Sequence, residues 1–235
     1  MIRVNTLIMI GKYTMGAWSV DTRERIMETA LRLFNENGSG AISTNHIAEA
    51  LGISPGNLYY HVRNKEEIIR AILERMIVRW ERLYYLPVDR APTLADVQRL
   101  VRENFVLVWD YRFFFRELSV LVQRDPVLKQ RYQEIRRERL TRFEGLFGHF
   151  VSAGVARPPA SPALVATLAK LCWLISDYWL PFLEIDGELV LPDGIEQGVA
   201  LYMQVLSPYV SEAGSALEGN TYGTVSLFRK DAGDA

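Results

Sequence analysis

The sequence predicts an all-α protein. From Asp21 onward, apolar residues recur at helical spacing, whereas stretches that alternate apolar and polar residues are almost absent before the C-terminus. Hydrophobic residues make up 49% of the 235 positions, which is enough for one large helical core or two smaller ones. The pattern therefore favours a small N-terminal helical bundle followed by a larger helical domain.

The helix boundaries follow from capping residues and helix breakers. The first helix is expected to begin at Asp21 or Thr22 and to end at the Asn37–Gly40 turn. Asn64 is expected to cap a long helix in which Glu67 occupies the third position. Further helices are predicted over Leu94–Tyr111, Phe113–Gln123, Pro126–Ala153, Pro162–Leu183 and Asp193–Ser207.

The two ends of the chain are expected to lack fixed structure. Residues 1–20 are interpreted as a disordered leader, because the apolar run Thr6–Ile10 is far shorter than the roughly 20 residues that a membrane span requires. Met15 is an alternative start. Residues 211–235 are rich in Gly, Ser and Ala and are expected to form a flexible tail. Between them we expect an N-terminal domain over residues 21–66 and a second domain over residues 67–210.

The charge and cysteine content limit the possible functions. The net charge is −1 at pH 7, so contact with phosphates would have to come from a local patch. Cys172 is the single cysteine, which excludes an intrachain disulfide and fits the reducing cytoplasm. No membrane contact is expected.

Residues Thr44–Val62 have the pattern of two short helices joined by a tight turn. Ile47 and Leu51 lie one helical turn apart and are expected to point inward. Gly52 permits the positive φ that the turn requires. Ser54 is suited to cap the second helix and the proline after it to start that helix. The pattern predicts a helix-turn-helix within an N-terminal three-helix bundle.

The second helix of this pair would expose a surface suited to nucleic acid. Asn57 can make two hydrogen bonds to a base edge, and hydroxyl, imidazole and ammonium groups can reach phosphates. The candidate DNA-binding residues are Thr44, Ser54, Pro55, Gly56, Asn57, Tyr59, Tyr60, His61 and Lys65. The spacing alone is equally compatible with a core helix pair that has a polar outer face.

The same stretch resembles the DNA-binding signature of the tetracycline-repressor (TetR/AcrR) family. The resemblance covers Asp21–Ile69 and rests on the runs Ile47-Ala48, Gly52-Ile53-Ser54, Gly56-Asn57-Leu58-Tyr59-Tyr60-His61 and Lys65-Glu66. It implies that Pro55, Gly56 and Asn57 lie nearest the bases and that the other contacts hold phosphates. Pro55 stands where many members have a basic or hydroxyl side chain, so the resemblance does not supply the operator sequence.

The resemblance also implies a function. The chain would be a ligand-responsive transcriptional regulator that binds an inverted-repeat operator as a homodimer and is released by a small apolar or aromatic effector. Repression is expected, and activation stays open. The implied partners are double-stranded DNA, a second copy of the chain and the effector, with no cofactor and no metal.

The C-terminal part is dense in aromatic residues, which at helical spacing more often form ordinary core. The resemblance implies that some of them enclose the effector instead. The candidate lining residues are Trp109, Phe113, Phe143, Phe147, Trp173 and Asp177, with Arg112 or Arg116 as an anchor for an anionic group.

Two apolar stripes favour self-association. They consist of Leu164, Leu168, Leu171, Ile175 and Trp179, and of Ile195, Val199, Tyr202 and Leu206. The same stripes would also suit packing within one chain, and the pattern alone does not decide. The resemblance favours the homodimer, which would place two recognition helices about 34–36 Å apart or at a multiple of that distance.

Three other interpretations are less well supported. An enzyme is not expected, because His46, His61 and His149 are the only histidines and no metal-binding or nucleophilic motif is present. The basic run between Lys129 and Arg142 is interleaved with glutamates and is more typical of a solvated helix face than of a second nucleic-acid patch. A protein-binding adaptor would show no sequence-specific affinity for DNA.

Overall fold

The computed structural model describes residues 10–84, 89–185, 187 and 192–211, with side chains from residue 22 onward. This part of the chain forms nine α-helices and one short 3-10 helix, and its only β-type pairing is an isolated bridge between Ala156 and Val210. The predicted all-α fold is confirmed.

The helices follow one another with short connections. Their bounds are α1 Ile10–Asn37, α2 Thr44–Leu51, α3 Pro55–His61, α4 Lys65–Leu83, α5 Leu94–Asp110, α6 Arg112–Arg124, α7 Pro126–Ser152, α8 Pro162–Ile185 and α9 Asp193–Leu206, followed by the 3-10 helix Ser207–Tyr209.

The start of α1 differs from the sequence prediction. The helix begins at Ile10 and not at Asp21, so it includes part of the segment expected to be a disordered leader. No proline interrupts residues 10–20, and adding residues to an existing helix is far easier than nucleating a new one. Residues 1–9 and 212–235, which hold the rest of the predicted leader and nearly all of the predicted tail, lie outside the described residues.

Predicted caps account for several of the other boundaries. Gly38 follows α1 with φ 77°, a conformation that glycine adopts without a steric penalty. The side chain of Asn64 accepts a hydrogen bond from the Glu67 amide at 2.8 Å and thereby starts α4. Asp125 accepts from the Leu128 amide at 3.1 Å and starts α7 in the same way.

The chain divides into two compact units. Unit 1 consists of Met1–Arg79 and Asp110–Gln130, and unit 2 consists of Trp80–Trp109 and Arg131–Ala235. This division differs from the predicted boundary at residues 66 and 67, because most of α4 and all of α6 fall in unit 1. Long-range contacts of α6 are responsible, and sequence periodicity does not report such contacts.

Unit 1 is held together by contacts between α1 and α6. The rings of Phe34 and Phe113, both fully buried, lie 5.1 Å apart. The side chain of Asn35 donates to the carbonyl oxygen of Asp110 at 2.8 Å and accepts from the Phe113 amide at 3.1 Å. Glu117 accepts from the backbone amide of Ser39 at 2.7 Å. The helix α6 is therefore tied to the residues that lead into α2.

Unit 2 is built around the packing of α8 against α9. The Trp179 indole N–H donates to the carbonyl oxygen of Gly194 at 2.8 Å. A β-carbon at Gly198 would come within 2.5 Å of the Trp179 ring and 2.8 Å of the Phe105 ring. Glycine at position 198 is thus required for the close approach of these helices.

By length and composition, α8 is the one described helix that would be able to cross a membrane. One third of its most apolar window is buried, and Asp177 lies buried within the helix. Core helices of soluble proteins have the same length and composition, so this feature does not by itself indicate a membrane protein.

Candidate nucleic-acid interface and effector cavity

The turn between α2 and α3 has the geometry that the sequence predicts. Gly52 adopts φ 68° and ψ 29°, the left-handed conformation. The Gly52 amide donates to the carbonyl oxygen of Glu49, and the Ile53 amide donates to that of Ala48, both at 3.0 Å. These bonds end α2 and reverse the chain toward α3. Ile47 and Leu58, one from each helix, are fully buried and fix the pair.

Local hydrogen bonds present the start of α3 to solvent. The Ser54 side chain accepts from the Asn57 amide at 3.2 Å, and Pro55 occupies the first helical position. Pro55, Gly56 and Asn57 are all exposed. The first turn of the helix, with its exposed side chains and positive dipole end, is therefore open to an anionic partner.

The other predicted contacts surround this helix end. The hydroxyls of Thr44 and Tyr59 lie 2.8 Å apart, which joins the first turn of α2 to α3. Tyr60 is 83% exposed and meets the ring of His61 edge-on at 5.2 Å. The structure thus brings the predicted residues of α2 and α3 onto one continuous surface.

Lys65 has a structural role that the sequence did not reveal. Its ammonium group donates to the carbonyl oxygens of Ser39 at 2.7 Å and Ile42 at 3.1 Å. These acceptors lie between α1 and α2, far from Lys65 in the sequence, so no local pattern predicts the contact. An ammonium has three donors, and these two bonds use two of them.

His46 is a further residue whose role was missed. The Ser43 side chain accepts from the His46 amide, and the His46 ring nitrogen Nδ1 accepts from the Ser43 amide, both at 3.3 Å. This is a capping box with histidine in the place of the usual glutamate or glutamine. It fixes the start of α2 and hence the position of Thr44.

Unit 2 contains a mainly apolar cavity of about 100 Å³. A cavity needs only roughly 10–15 Å³ to hold one water molecule, so this space suits a small organic molecule. Its lining residues are Leu83, Tyr84, Leu94, Val97, Leu100, Val101, Asn104, Arg139, Phe143, Leu146, Phe147, Phe150, Val155, Ala156, Ser176, Tyr202, Met203, Leu206, Tyr209 and Val210.

Two of the predicted pocket residues, Phe143 and Phe147, line this cavity, and their rings lie 6.1 Å apart. Arg112, Phe113 and Arg116 belong to unit 1, where Arg116 donates to the Asn35 carbonyl oxygen at 3.0 Å. The remaining three, which belong to unit 2 without forming part of the lining, are Trp109, Trp173 and Asp177.

The residues of the two predicted dimer stripes are mostly covered by other residues of unit 2. Leu168, Ile195, Val199 and Leu206 are buried, and Leu164, Ile175, Trp179 and Tyr202 are half-buried. Leu171 is 44% exposed. The helix α8 instead exposes a neighbouring apolar stripe that consists of Leu171, Leu174, Tyr178, Phe182 and Ile185.

Asp177 is one of two buried carboxylates in the described part of unit 2, the other being Asp96. Burial raises the pKa of Asp177 to about 6, although the charge of Arg139 and a 2.8 Å hydrogen bond from the Tyr132 hydroxyl both act in the opposite direction. Among the described residues, no group of three or more His, Cys, Asp and Glu side chains is placed to hold a metal ion.

Comparison with known proteins adds a family. Residues 26–72 match the sequence profile described as "Bacterial regulatory proteins, tetR family", and residues 75–217 match "Bacterial transcriptional repressor", TetR. The second match alone spans more than half of the chain.

Individual relatives agree with the profiles. A crystal structure of a TetR-family transcriptional regulator from Marinobacter aquaeolei VT8 is 34% identical, with a TM-score of 0.74 over 82% of this chain and 92% of that one. The regulator UidR of Escherichia coli K12 is 41% identical over 63 residues, 25% of this chain and 32% of the relative. The Escherichia coli tetracycline repressor of class D is 37% identical over 57 residues, 24% of this chain and 26% of the relative.

The curated matches span about a third or less of those relatives' length and lie in a region of the size of a helix-turn-helix domain. The profile over residues 75–217 and the Marinobacter structure extend the likeness to the larger helical part. Proteins of this family are DNA-binding regulators and not enzymes, which confirms the prediction made from the missing catalytic motifs. The chain is a member of the TetR family of helix-turn-helix transcriptional regulators.

Proposed function

We propose that the protein is a cytoplasmic repressor that binds an inverted-repeat operator as a homodimer and is released by a small apolar or aromatic effector. The observation that carries the DNA-binding part is the exposed first turn of α3. There, Gly56 and Asn57 are open to solvent next to the hydroxyls of Thr44 and Tyr59. Asn57 is the residue suited to read a base edge, and its neighbours are suited to hold phosphates.

The exposed stripe of α8 supports the homodimer. Leu171, Leu174, Tyr178 and Phe182 follow one another at intervals of three and four residues, and each is 44–53% exposed. Apolar residues at this spacing are typical of a helix that packs against another helix. Because eight of the nine residues in the two predicted stripes are buried or half-buried within one chain, we assign the dimer contact to this neighbouring face.

One helix would connect the effector to the DNA-binding surface. Leu83, the last residue of α4, lines the cavity, and Lys65 at the other end of α4 bonds the segment that precedes α2. An effector that favours a different position of α4 would shift the population away from the DNA-binding conformation.

The experiment that tests this function is selection of bound fragments from sheared genomic DNA, followed by footprinting and a salt titration. A discrete inverted repeat, bound with an affinity that falls steeply with salt, is expected. Weak binding that ignores sequence, with and without small apolar ligands, would favour the adaptor interpretation instead.

Two variants separate base reading from phosphate contact. The substitution Asn57→Ala should reduce the preference for operator over random DNA, by about 1–3 kcal/mol for a two-bond base contact. Tyr60→Phe should weaken binding to both DNAs alike, because it removes a hydroxyl assigned to phosphate. Equal relative losses on both DNAs in both variants would contradict these roles.

Sedimentation of the variant Leu174→Glu tests the dimer face. A charge placed in the middle of a buried apolar contact should shift the protein toward monomer. The matched control is Val120→Glu. Val120 is 44% exposed, but it lies on α6 outside the proposed face, so this variant should remain a dimer. A dimer that persists in Leu174→Glu would exclude this face.

A further inference from the structure

Arg139 of α7 places a positive charge beside the apolar cavity of unit 2. It is one of the lining residues, and it is the single charged residue among the described residues that form the lining. Its Nε and Nη1 atoms are shielded from solvent and have no hydrogen-bond partner within the described part of the chain. Donors of this kind are costly to bury unless an acceptor meets them.

The guanidinium group is held in a fixed position. The Trp80 ring centroid lies 3.9 Å from its central carbon and the Trp173 ring centroid 4.5 Å from the same atom. Nη2 donates to the Asn104 side-chain oxygen at 3.1 Å, and that oxygen also accepts from the Trp80 indole at 3.0 Å. The contacts to Trp80, Trp173 and Asn104 fix the plane of the group. The Tyr84 side chain, which also lines the cavity, acts on the guanidinium as a further hydrogen-bond partner. Tyr84 does not bring an acceptor into good hydrogen-bond geometry with Nε or Nη1.

The remaining lining favours an anionic ligand over a cationic one. No Asp or Glu is among the described lining residues, which are mostly aliphatic and aromatic. The Asp177 carboxylate acts on Arg139 through its charge, but it accepts from the Tyr132 hydroxyl and is not part of the lining. A cation in the cavity would meet the like charge of Arg139 with no carboxylate in the lining to bind it.

We propose that the cavity binds an apolar molecule that carries one carboxylate group, with the carboxylate at Arg139 and the hydrocarbon or aromatic body against Phe143, Phe147 and Phe150. This inference rests on the proposed effector response and names the chemical class of the effector. It moves the anionic anchor from Arg112 and Arg116, which lie in unit 1, to Arg139.

The test is calorimetric titration of the full chain with matched pairs of ligands. Hexanoate, octanoate, decanoate and benzoate are each compared with the corresponding alcohol, which keeps the apolar body and lacks the charge. A charged hydrogen bond at Arg139 should make at least one acid bind about tenfold or more tightly than its alcohol.

Three variants assign the preference to Arg139. The substitution Arg139→Met should remove the preference for acid over alcohol. The double variant Arg139→Met/Asp177→Asn should do the same without leaving a lone buried carboxylate, which protects the test against a folding defect. The control Phe147→Ala should weaken the binding of acid and alcohol by similar factors and keep the preference, because it removes only an apolar side chain from the lining.

The outcomes separate this inference from the proposed function. Equal affinity for acid and alcohol, no binding by any acid, or a preference that survives in both Arg139 variants would overturn the inference even if operator binding is intact. Conversely, acid binding that depends on Arg139 supports the inference even if the fragment selection finds no operator. That second result would overturn the proposed DNA-binding function alone.

Discussion

The DNA-binding surface and the effector cavity are built from the sequence in opposite ways. The surface on α2 and α3 is formed by residues 43–65. Most bonds that shape it join residues within five positions of each other or the two adjacent helices, and the exceptions are the bonds from Lys65 to Ser39 and Ile42. The cavity is lined by residues from Leu83 to Val210. Local signals therefore specify the first region and long-range packing specifies the second, so single substitutions should affect them differently.

The largest expected effect comes from α6, which belongs to unit 1 in spite of its distance from α3 in the sequence. The variant Phe113→Ala would remove a fully buried ring that packs on Phe34, and should lower the free energy of unfolding by about 3–5 kcal/mol. Chemical denaturation measures the loss, and DNA binding should weaken in parallel.

A matched control for Phe113→Ala lies on the same helix. Val120 is 44% exposed, and Val120→Ala should change stability by less than about 0.5 kcal/mol. A stable Phe113→Ala protein with unchanged DNA affinity would contradict the assignment of α6 to the DNA-binding unit.

The second effect depends on pH and arises in unit 2. Burial raises the pKa of Asp177 to about 6, so the folded state binds this proton more tightly than the unfolded state does. The resulting stabilisation is present below pH 4 and is lost as the pH rises from about 4 to 6. Its size is on the order of 3 kcal/mol, since one pKa unit is worth about 1.4 kcal/mol.

The substitution Asp177→Asn should remove this pH dependence of stability. The unfolding free energy of the parent minus that of the variant should therefore fall between about pH 4 and pH 6. Asp96→Asn is the control, because hydrogen bonds from Arg90 and Thr93 lower the pKa of Asp96 despite its desolvation. The stabilisation from ionised Asp96 is lost only as the pH falls below about 4. The difference in unfolding free energy between the parent and Asp96→Asn should therefore be flat from pH 5 to 7. A flat difference for Asp177→Asn as well would contradict a raised pKa.

The third effect concerns close packing in unit 2. Gly198→Ala places a methyl group against the rings of Trp179 and Phe105 and should cost about 1–3 kcal/mol of stability. Gly145→Ala on α7 meets no atom within 4 Å and should stabilise the helix by about 0.5–1 kcal/mol. Thermal unfolding of both variants should give shifts of opposite sign; shifts of the same sign would contradict the close contact.

The smallest effect on stability is expected at Ser54, the residue that caps α3. Ser54→Ala removes the acceptor for the Asn57 amide and should cost about 1 kcal/mol, together with some DNA affinity. Ser54→Asp retains an acceptor and should keep most of the stability, as denaturation would show. If Ser54→Asp were as unstable as Ser54→Ala, capping would not be what holds this turn.

The sequence predicted the fold and the local geometry of the helix-turn-helix well because their signals are local. Gly52, Ser54 and Asn64 act on residues within a few positions, and each adopts the role that its type and place indicate. Most of the predicted helix ends lie within two residues of those observed. The exception, the start of α1 at Ile10, falls where the sequence offers no cap and no breaker.

The cavity was predicted poorly for a physical reason. Phe113 and Phe147 are both aromatic residues at helical spacing, yet one fills the core of unit 1 and the other lines the cavity of unit 2. The difference depends on which helices lie opposite them, and a periodic pattern does not contain that information. For the same reason Arg139 was not among the predicted pocket residues. In the sequence, its helix has the pattern of a solvated, ion-paired face.

The division of unit 1 into two chain segments has a consequence for engineering. A fragment that stops after α4 would lack Phe113, Glu117 and the rest of α6, and so would lose the partners of Phe34, Asn35 and Ser39. The DNA-reading part is therefore not a detachable N-terminal cassette. A chimera that gives this specificity to another sensor would need to transplant residues 110–130 along with the N-terminal segment, as two inserts with three junctions.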